Sequence, residues 1–235
     1  RGRARGLAVR LVNWDGGHRL DGYTRAANLG IRAARREAPY AAFCLLNSDV
    51  EVVDPRWLET LKRHAFSDPT IGVVGPLSNA ASYQSVPELR VQTGKESEDW
   101  SKNELPPGPA DDPWTPRGVA AAVARGSRRR LVDVPVLNGF CLVVKAEVVE
   151  AVGLMDEVAF PHGFGEENDF ALRALAAGYS LKVADDVYVW HHKSKSYGDA
   201  TRQALSAGSA EAMRERWGSM LRHAVKLLET NQELA

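Results

Sequence analysis

Six consecutive apolar residues, Ala41-Ala42-Phe43-Cys44-Leu45-Leu46, stop abruptly at Asn47-Ser48-Asp49. A short uninterrupted apolar run suits a strand buried on both faces, as in the interior of a parallel sheet. Helical and strand patterns alternate around it. Residues 7–13 read as a Val/Leu-rich strand, followed by a turn at Asp15-Gly16-Gly17. Residues 21–37 read as a helix, with Ala26, Ala27, Ile31 and Ala34 near helical spacing and Pro39 stopping the run. Asp54-Pro55 predicts a second helix to about Phe66, with Asp as N-cap and Pro at the first helical position. Residues 71–74 form the next buried strand. This order predicts an α/β fold, a mostly parallel sheet flanked by helices.

Beyond Leu77 the pattern breaks. Residues 82–132 read as one long irregular loop, with a possible helix at 117–124. The basic run Arg128-Arg129-Arg130 is either a solvated face or a contact for phosphate or an anionic membrane. Order returns with a strand at 136–144 broken by Gly139, a helix at 147–152 and a helix at 166–177 capped by Gly178. Strands at 181–184 and 187–190 follow, then a helical stretch from Asp199 toward Leu228. Residues 1–6 read as a linker or cut end and 7–198 as one domain. Residues 199–235 read as a helical extension packed on that domain or on a second subunit, as in a homodimer.

Thirty basic residues balance thirty acidic ones, which argues against a nucleic-acid binder. The two cysteines, Cys44 and Cys141, each sit in an apolar run and read as buried free thiols. No stretch of 18 apolar residues encodes a membrane-spanning helix, and no signal peptide is visible.

Three polar clusters fall at element ends, where α/β proteins place their ligands. Asn47-Ser48-Asp49-Val50-Glu51 follows a buried strand; carboxylates there can hold a hard divalent cation, or can simply cap a turn. Gly163-Phe164-Gly165-Glu166-Glu167-Asn168-Asp169 crowds three acids onto a helix start. Acids favour that position in any helix, but two carboxyls in different surroundings can hold different protonation states, one of them serving as base. His191-His192 ends the last strand; neighbours on a strand alternate faces, so at most one faces a common site.

With those clusters in this order, the chain resembles the family 2 glycosyltransferases of GT-A fold, in particular their rhamnosyltransferase-like and cell-surface polysaccharide members. The likeness runs from about Leu7 to Gly198. Leu45 through Glu51 resembles the family's Asp-x-Asp motif, Asn138 through Lys145 its acceptor-side strand, and Gly165 through Arg173 its Glu-Asp-x-Asp block. His191 through Ser196 resembles its late metal-histidine segment, and Gly22 through Gly30 the helix after its second strand.

The resemblance implies an inverting sugar transfer from a nucleotide-diphosphate sugar to a hydroxyl of a glycan or lipid-linked acceptor. Mg or Mn would be held by Asp49, His191 and Glu51. Asn47, Ser48, Asp49, Arg25 and Asn28 would contact the donor, and Asn138, Gly139, Phe164 and Gly165 the acceptor. The base would be Glu167, with Glu166 and Asp169 as the other candidates. Trp190 and Tyr197 could stack on sugars, with core packing the blander role for Trp190. The implied place of work is the cytoplasm, with peripheral contact at the inner face of a membrane. Asn47 replaces the first Asp of the family motif, and Glu167 replaces the usual Asp base. The family's first strand, with the loop that holds the nucleotide base, would precede Leu7, so this chain lacks that half or obtains it from a longer polypeptide. These departures motivate the competing reading, a non-catalytic glycan- or nucleotide-sugar-binding module.

Overall fold

The computed structural model describes residues 22–86, 105–161, 163–192 and 199–231, without the side chains of 199–207. The expected strand at 7–13, Tyr197 and the middle of the expected long loop lie outside the described residues.

The first helix, α1 (Gly22–Glu37), leads into β1 (Ala42–Leu46) and the two-residue β2 (Val50–Glu51). Then come α2 (Trp57–Ala65) and β3 (Ile71–Leu77), α3 (Pro116–Gly126) and β4 (Leu131–Val134). The chain continues through β5 (Cys141–Lys145), α4 (Ala146–Val152), α5 (Glu166–Ala176), β6 (Ser180–Tyr188), β7 (Trp190–His191) and α6 (Asp199–Thr230). Five strands form one sheet in the order β1-β5-β3-β6-β4, and β2 pairs with β7 in a small second sheet. The α/β class stands. The sheet is mixed: β3 and β6 are parallel, while β5 is antiparallel to β1 and β3, and β4 to β6. Thus β1, β3 and β6 share one direction, and their C-terminal ends share one edge of the sheet. The start of the reversed strand β5 lies at that same edge.

The central strands carry the core. Val73, Val74, Val143, Val144, Leu181 and Val183 are all buried, each contributing about 1.5–3 kcal/mol by leaving water. The edge differs from expectation. Only Phe43 of β1 is buried, whereas Cys44 is exposed and Leu46 is 40% exposed. The apolar run reads as an interior strand, but β1 ends the sheet order among the described residues, so just one of the two thiols, Cys141, is buried.

Two local signals act differently from their sequence reading. Asp54 does not cap α2; its carboxylate accepts from the N–H of Arg56 at 2.9 Å, and the helix starts at Trp57. Asp185-Asp186 does not interrupt β6. Asp185 accepts from the Ser127 hydroxyl (2.6 Å) and the Arg130 N–H (2.8 Å), and Asp186 lies 2.8 Å from His64 Nε2. Partners from α2 and from the link between α3 and β4 let the strand run through its acids. Helix α3 matches expectation, with Thr115 capping Gly118 N–H at 3.0 Å and Pro116 at its first position. Helix α6 packs on the domain through Met213 and Ala224 against Phe160 and Leu172.

Candidate active site

Segments that leave the common sheet edge build two polar corners. The first holds Asp49, just past β1, and His191 in β7. His191 Nε2 lies 3.4 Å from Asp49 Oδ2. The ring is fixed on several sides. Its Nδ1 lies 2.9 Å from the carbonyl of Ala80, which can only accept, so Nδ1 carries a proton and Nε2 is the ring nitrogen that faces Asp49. Asn79 takes the His191 N–H on its Oδ1 (2.8 Å) and donates its amide to the His191 carbonyl (3.0 Å). Phe140 stacks on the ring with centroids 5.3 Å apart.

A metal-binding imidazole commonly donates one ring N–H to a backbone carbonyl and keeps its other nitrogen for the ion; in His191 that other nitrogen lies beside the Asp49 carboxylate. The donor set, one carboxylate and one imidazole, suits a divalent cation that keeps open positions for phosphate oxygens. Among the described residues no group of three or more His, Cys, Asp or Glu gathers into a metal site. Glu51 does not join the pair. It lies on the alternate face, 3.4 Å from His192 Nε2. Trp190 Nε1 donates to His192 Nδ1 at 3.3 Å, which leaves the proton of a neutral His192 on Nε2. When neutral, the adjacent histidines thus hold opposite tautomers, and the one on the Asp49 side turns Nε2 toward that carboxylate. Asn47 is half-buried, its N–H bonded to the Phe140 carbonyl at 2.9 Å, and Ser48 is exposed.

The second corner is the start of α5. Gly163, Phe164 and Gly165 all have left-handed φ values of +99°, +67° and +138°. Glycine adopts such angles freely and phenylalanine does not; strain of this kind gathers at functional sites. The loop turns both following carboxyls back on itself: Gly165 N–H lies 3.1 Å from Glu166 Oε2 and 3.2 Å from Glu167 Oε2. Glu166 is buried and Glu167 half-buried. Burial, reinforced by the neighbouring Glu167, pushes the Glu166 carboxyl up to about 9, and burial raises Glu167 as well.

The turn Asn138-Gly139-Phe140 joins the corners. A Cβ on Gly139 would touch Glu167 at 3.4 Å, while the next residue, Phe140, stacks on His191. The Asn138 N–H is held by Gln84 Oε1 at 2.7 Å, and its own Oδ1 accepts from Phe140 N–H at 3.2 Å.

Other predicted site residues take different places. Asp169 is fully buried, accepting from Arg173 Nε (2.8 Å), Arg216 Nη1 (2.8 Å) and Trp217 Nε1 (2.9 Å). This ties α5 to α6 and leaves the carboxylate saturated, so it is no base. Asn28 is also fully buried, its amide spent on Met155 and Glu157. It clamps α1 to the loop after α4 and has no surface for a nucleotide. Arg25 is exposed on α1. Trp190 is buried beside Tyr188 and Ala120, in a core role.

Sequence reasoning missed Tyr23, Asn79, Ala80 and Gln84. Tyr23 donates its hydroxyl to the Gly139 carbonyl at 3.2 Å. Burial, then the charges of Glu166 and Glu167, hold its phenol well above the ordinary range. Its position three residues before Ala26 on a helix face gave no chemical signal. Asn79 and Gln84 lie just past β3, where composition reads as the start of a loop, yet both are buried.

No known family profile matches the chain. The O-antigen biosynthesis protein RfbC of Myxococcus xanthus is 27% identical over 170 residues, which is 69% of this chain and 12% of RfbC. The uncharacterised protein y4gI of Sinorhizobium fredii is 27% identical over 203 residues, 83% of this chain and 20% of that protein. The chain therefore spans a fifth or less of either relative. Among solved structures, mannosyltransferase PcManGT of Pyrobaculum calidifontis, in complex with GDP-Man and Mn2+, superposes with a TM-score of 0.48 at 15% identity. That match covers 86% of this chain and 49% of the mannosyltransferase.

Proposed function

We propose that this chain is the catalytic part of a glycosyltransferase that moves a sugar from a nucleotide-diphosphate sugar to a hydroxyl of a glycan or lipid-linked acceptor, with inversion. The observation that carries the reading is the single turn, Asn138-Gly139-Phe140, that touches both the Asp49–His191 corner and the Glu166–Glu167 corner at one edge of the sheet. The likeness to RfbC, a protein of O-antigen biosynthesis, agrees with it.

Asp49 and His191 would hold Mg or Mn, which when bound supplies positive charge to the diphosphate leaving group. The residues of the chain do the rest. Glu167, half-open to solvent, takes the proton of the acceptor hydroxyl as its oxygen bonds to the anomeric carbon and the sugar–diphosphate bond breaks, the electron pair leaving with the diphosphate. The strained 163–165 loop aims that carboxyl, and Gly139 leaves room for it. Phe164, Gly165 and Asn138 border the acceptor side, and Asn47 and Ser48 the donor side.

The test is thermal unfolding of the full-length protein with Mn and a panel of nucleoside diphosphates. A ligand at a hundredfold excess over its Kd adds roughly 2.7 kcal/mol of stability. One nucleotide should raise the melting temperature only when Mn is present, and Asp49→Ala and His191→Ala should abolish the shift. A shift that survives both substitutions would refute the assignment of the donor corner.

A further inference from the structure

Two carboxyl groups crowd one backbone N–H at the start of α5: Gly165 N–H lies 3.1 Å from Glu166 Oε2 and 3.2 Å from Glu167 Oε2. Two like charges crowded at one N–H with no cation beside them disfavour each other, and a proton on one carboxyl relieves the repulsion and lets it donate to the other. Their surroundings are unequal. Glu166 is 4% exposed and lies against the Gly163 backbone, where a Cβ would sit 3.6 Å from both its oxygens. Glu167 reaches past Gly139 and keeps part of its surface open. The titratable groups facing the pair are Tyr23 from α1, with Cys141 of β5 and Cys44 of β1 beyond it. From α6, Ser209 donates its hydroxyl to the Gly163 carbonyl at 3.1 Å, and Met213 packs near Gly165. Among the described residues no cation is ion-paired with either carboxyl.

We propose that Glu166 is a positioning residue that keeps the one proton of this pair and donates it as a hydrogen bond to Glu167, so that Glu167 remains the charged, proton-accepting member. The proton shared between them never leaves Glu166 during turnover; the proton taken from the acceptor hydroxyl goes to Glu167 and then to solvent. The inference rests on the transferase reading only for what Glu167 accepts, since the shared proton is a property of the protein without substrate. The direction agrees with the raised Glu166 carboxyl, which stays neutral through neutral pH and loses its proton toward about 9.

The experiment is a side-chain carboxyl 13C NMR titration of the full-length protein labelled at glutamate Cδ. It compares the wild type with Glu166→Gln and Glu167→Gln. In the wild type one glutamate should remain protonated at neutral pH. Glu166→Gln should erase that signal, and Glu167→Gln should keep it at a lower titration point, because the adjacent charge is gone. Uniformly ordinary glutamate titration in the wild type would overturn the proposal. So would a high-titrating signal that survives Glu166→Gln and vanishes in Glu167→Gln.

Turnover gives the second arm, read as nucleoside diphosphate release from a panel of nucleotide sugars with Mn. Gln can still donate to Glu167, so Glu166→Gln should move the alkaline fall of the rate to higher pH. Glu166→Ala should lower the rate at every pH by about 10–100-fold, a part of the range for a positioned base. An alkaline limb unmoved by Glu166→Gln would count against the proposal. Wild-type protein that gives the expected NMR titration but no turnover on the panel would overturn the transferase reading and leave the shared proton standing.

Discussion

Glu166 and Asp169 stand one turn apart on α5, both buried, and the structure treats their charges in opposite ways. Asp169 faces two guanidinium groups and an indole N–H, all within hydrogen-bond distance. Its charge is fully compensated, and Arg173 goes on to bond the carbonyls of Val152 and Leu154. Glu166 meets one shared N–H and a second carboxyl instead. Burial alone therefore says little about what an acid does. The cations brought to it decide whether it is a structural anchor or a group that holds a proton.

Four measurements break or sharpen that contrast. The largest effect belongs to Glu167→Gln, which removes the proposed base while keeping its shape. Turnover of the preferred nucleotide sugar should fall about 10²–10⁴-fold in a protein that still melts cooperatively, and retained turnover would remove Glu167 from the mechanism. Asp169→Ala should act on stability, because it removes the buried acceptor shared by Arg173, Arg216 and Trp217. Urea denaturation should show a loss of about 3–5 kcal/mol.

The third measurement uses pH. The Glu166 carboxyl is raised from its ordinary 4.5 to about 9 in the folded protein. The folded state thus holds a proton that the unfolded chain releases between those values. Its contribution to stability is fully present below the unfolded value and is lost as pH rises toward about 9. Stability should decline across this window in the wild type, and Glu166→Gln should flatten the decline. The variant should gain about 1–3 kcal/mol at neutral pH, since a tenfold change in proton affinity is worth about 1.4 kcal/mol. Asp169→Asn should show no such gain. The smallest effect is Tyr23→Phe, which deletes one partly buried hydrogen bond to Gly139. It should cost about 0.5–1.5 kcal/mol of stability in a urea melt, and a larger loss would mean that Tyr23 also supports the carboxyl pair.

Much of the frame was legible in the residues. Helix α1, the buried strand β3 and the end of α5 at Gly178 follow from apolar spacing and capping, and a helix is expected within 117–124, where α3 lies. The polar ends at Asn47-Ser48-Asp49 and His191-His192 pointed to one corner of the candidate site, and the acid-rich start of α5 pointed to the other. The misreadings share a cause. Asp54, Asp169, Asn28 and the Asp185-Asp186 pair are residues whose meaning depends on partners rather than on neighbours in sequence.

Local chemistry determined the elements, because periodicity, caps and glycine turns act over a few residues. It also placed the polar clusters of the candidate site at the ends of elements. Only the tertiary structure decided which acid is an anchor and which holds a proton, which histidine faces Asp49, and that β1 is an edge. Those outcomes are set by desolvation and by donors brought from far along the chain, with Arg216 reaching Asp169 across 47 residues and Tyr23 reaching Gly139 across 116. A carboxyl group reads the same in every sequence, and its charge is settled by what the fold packs around it.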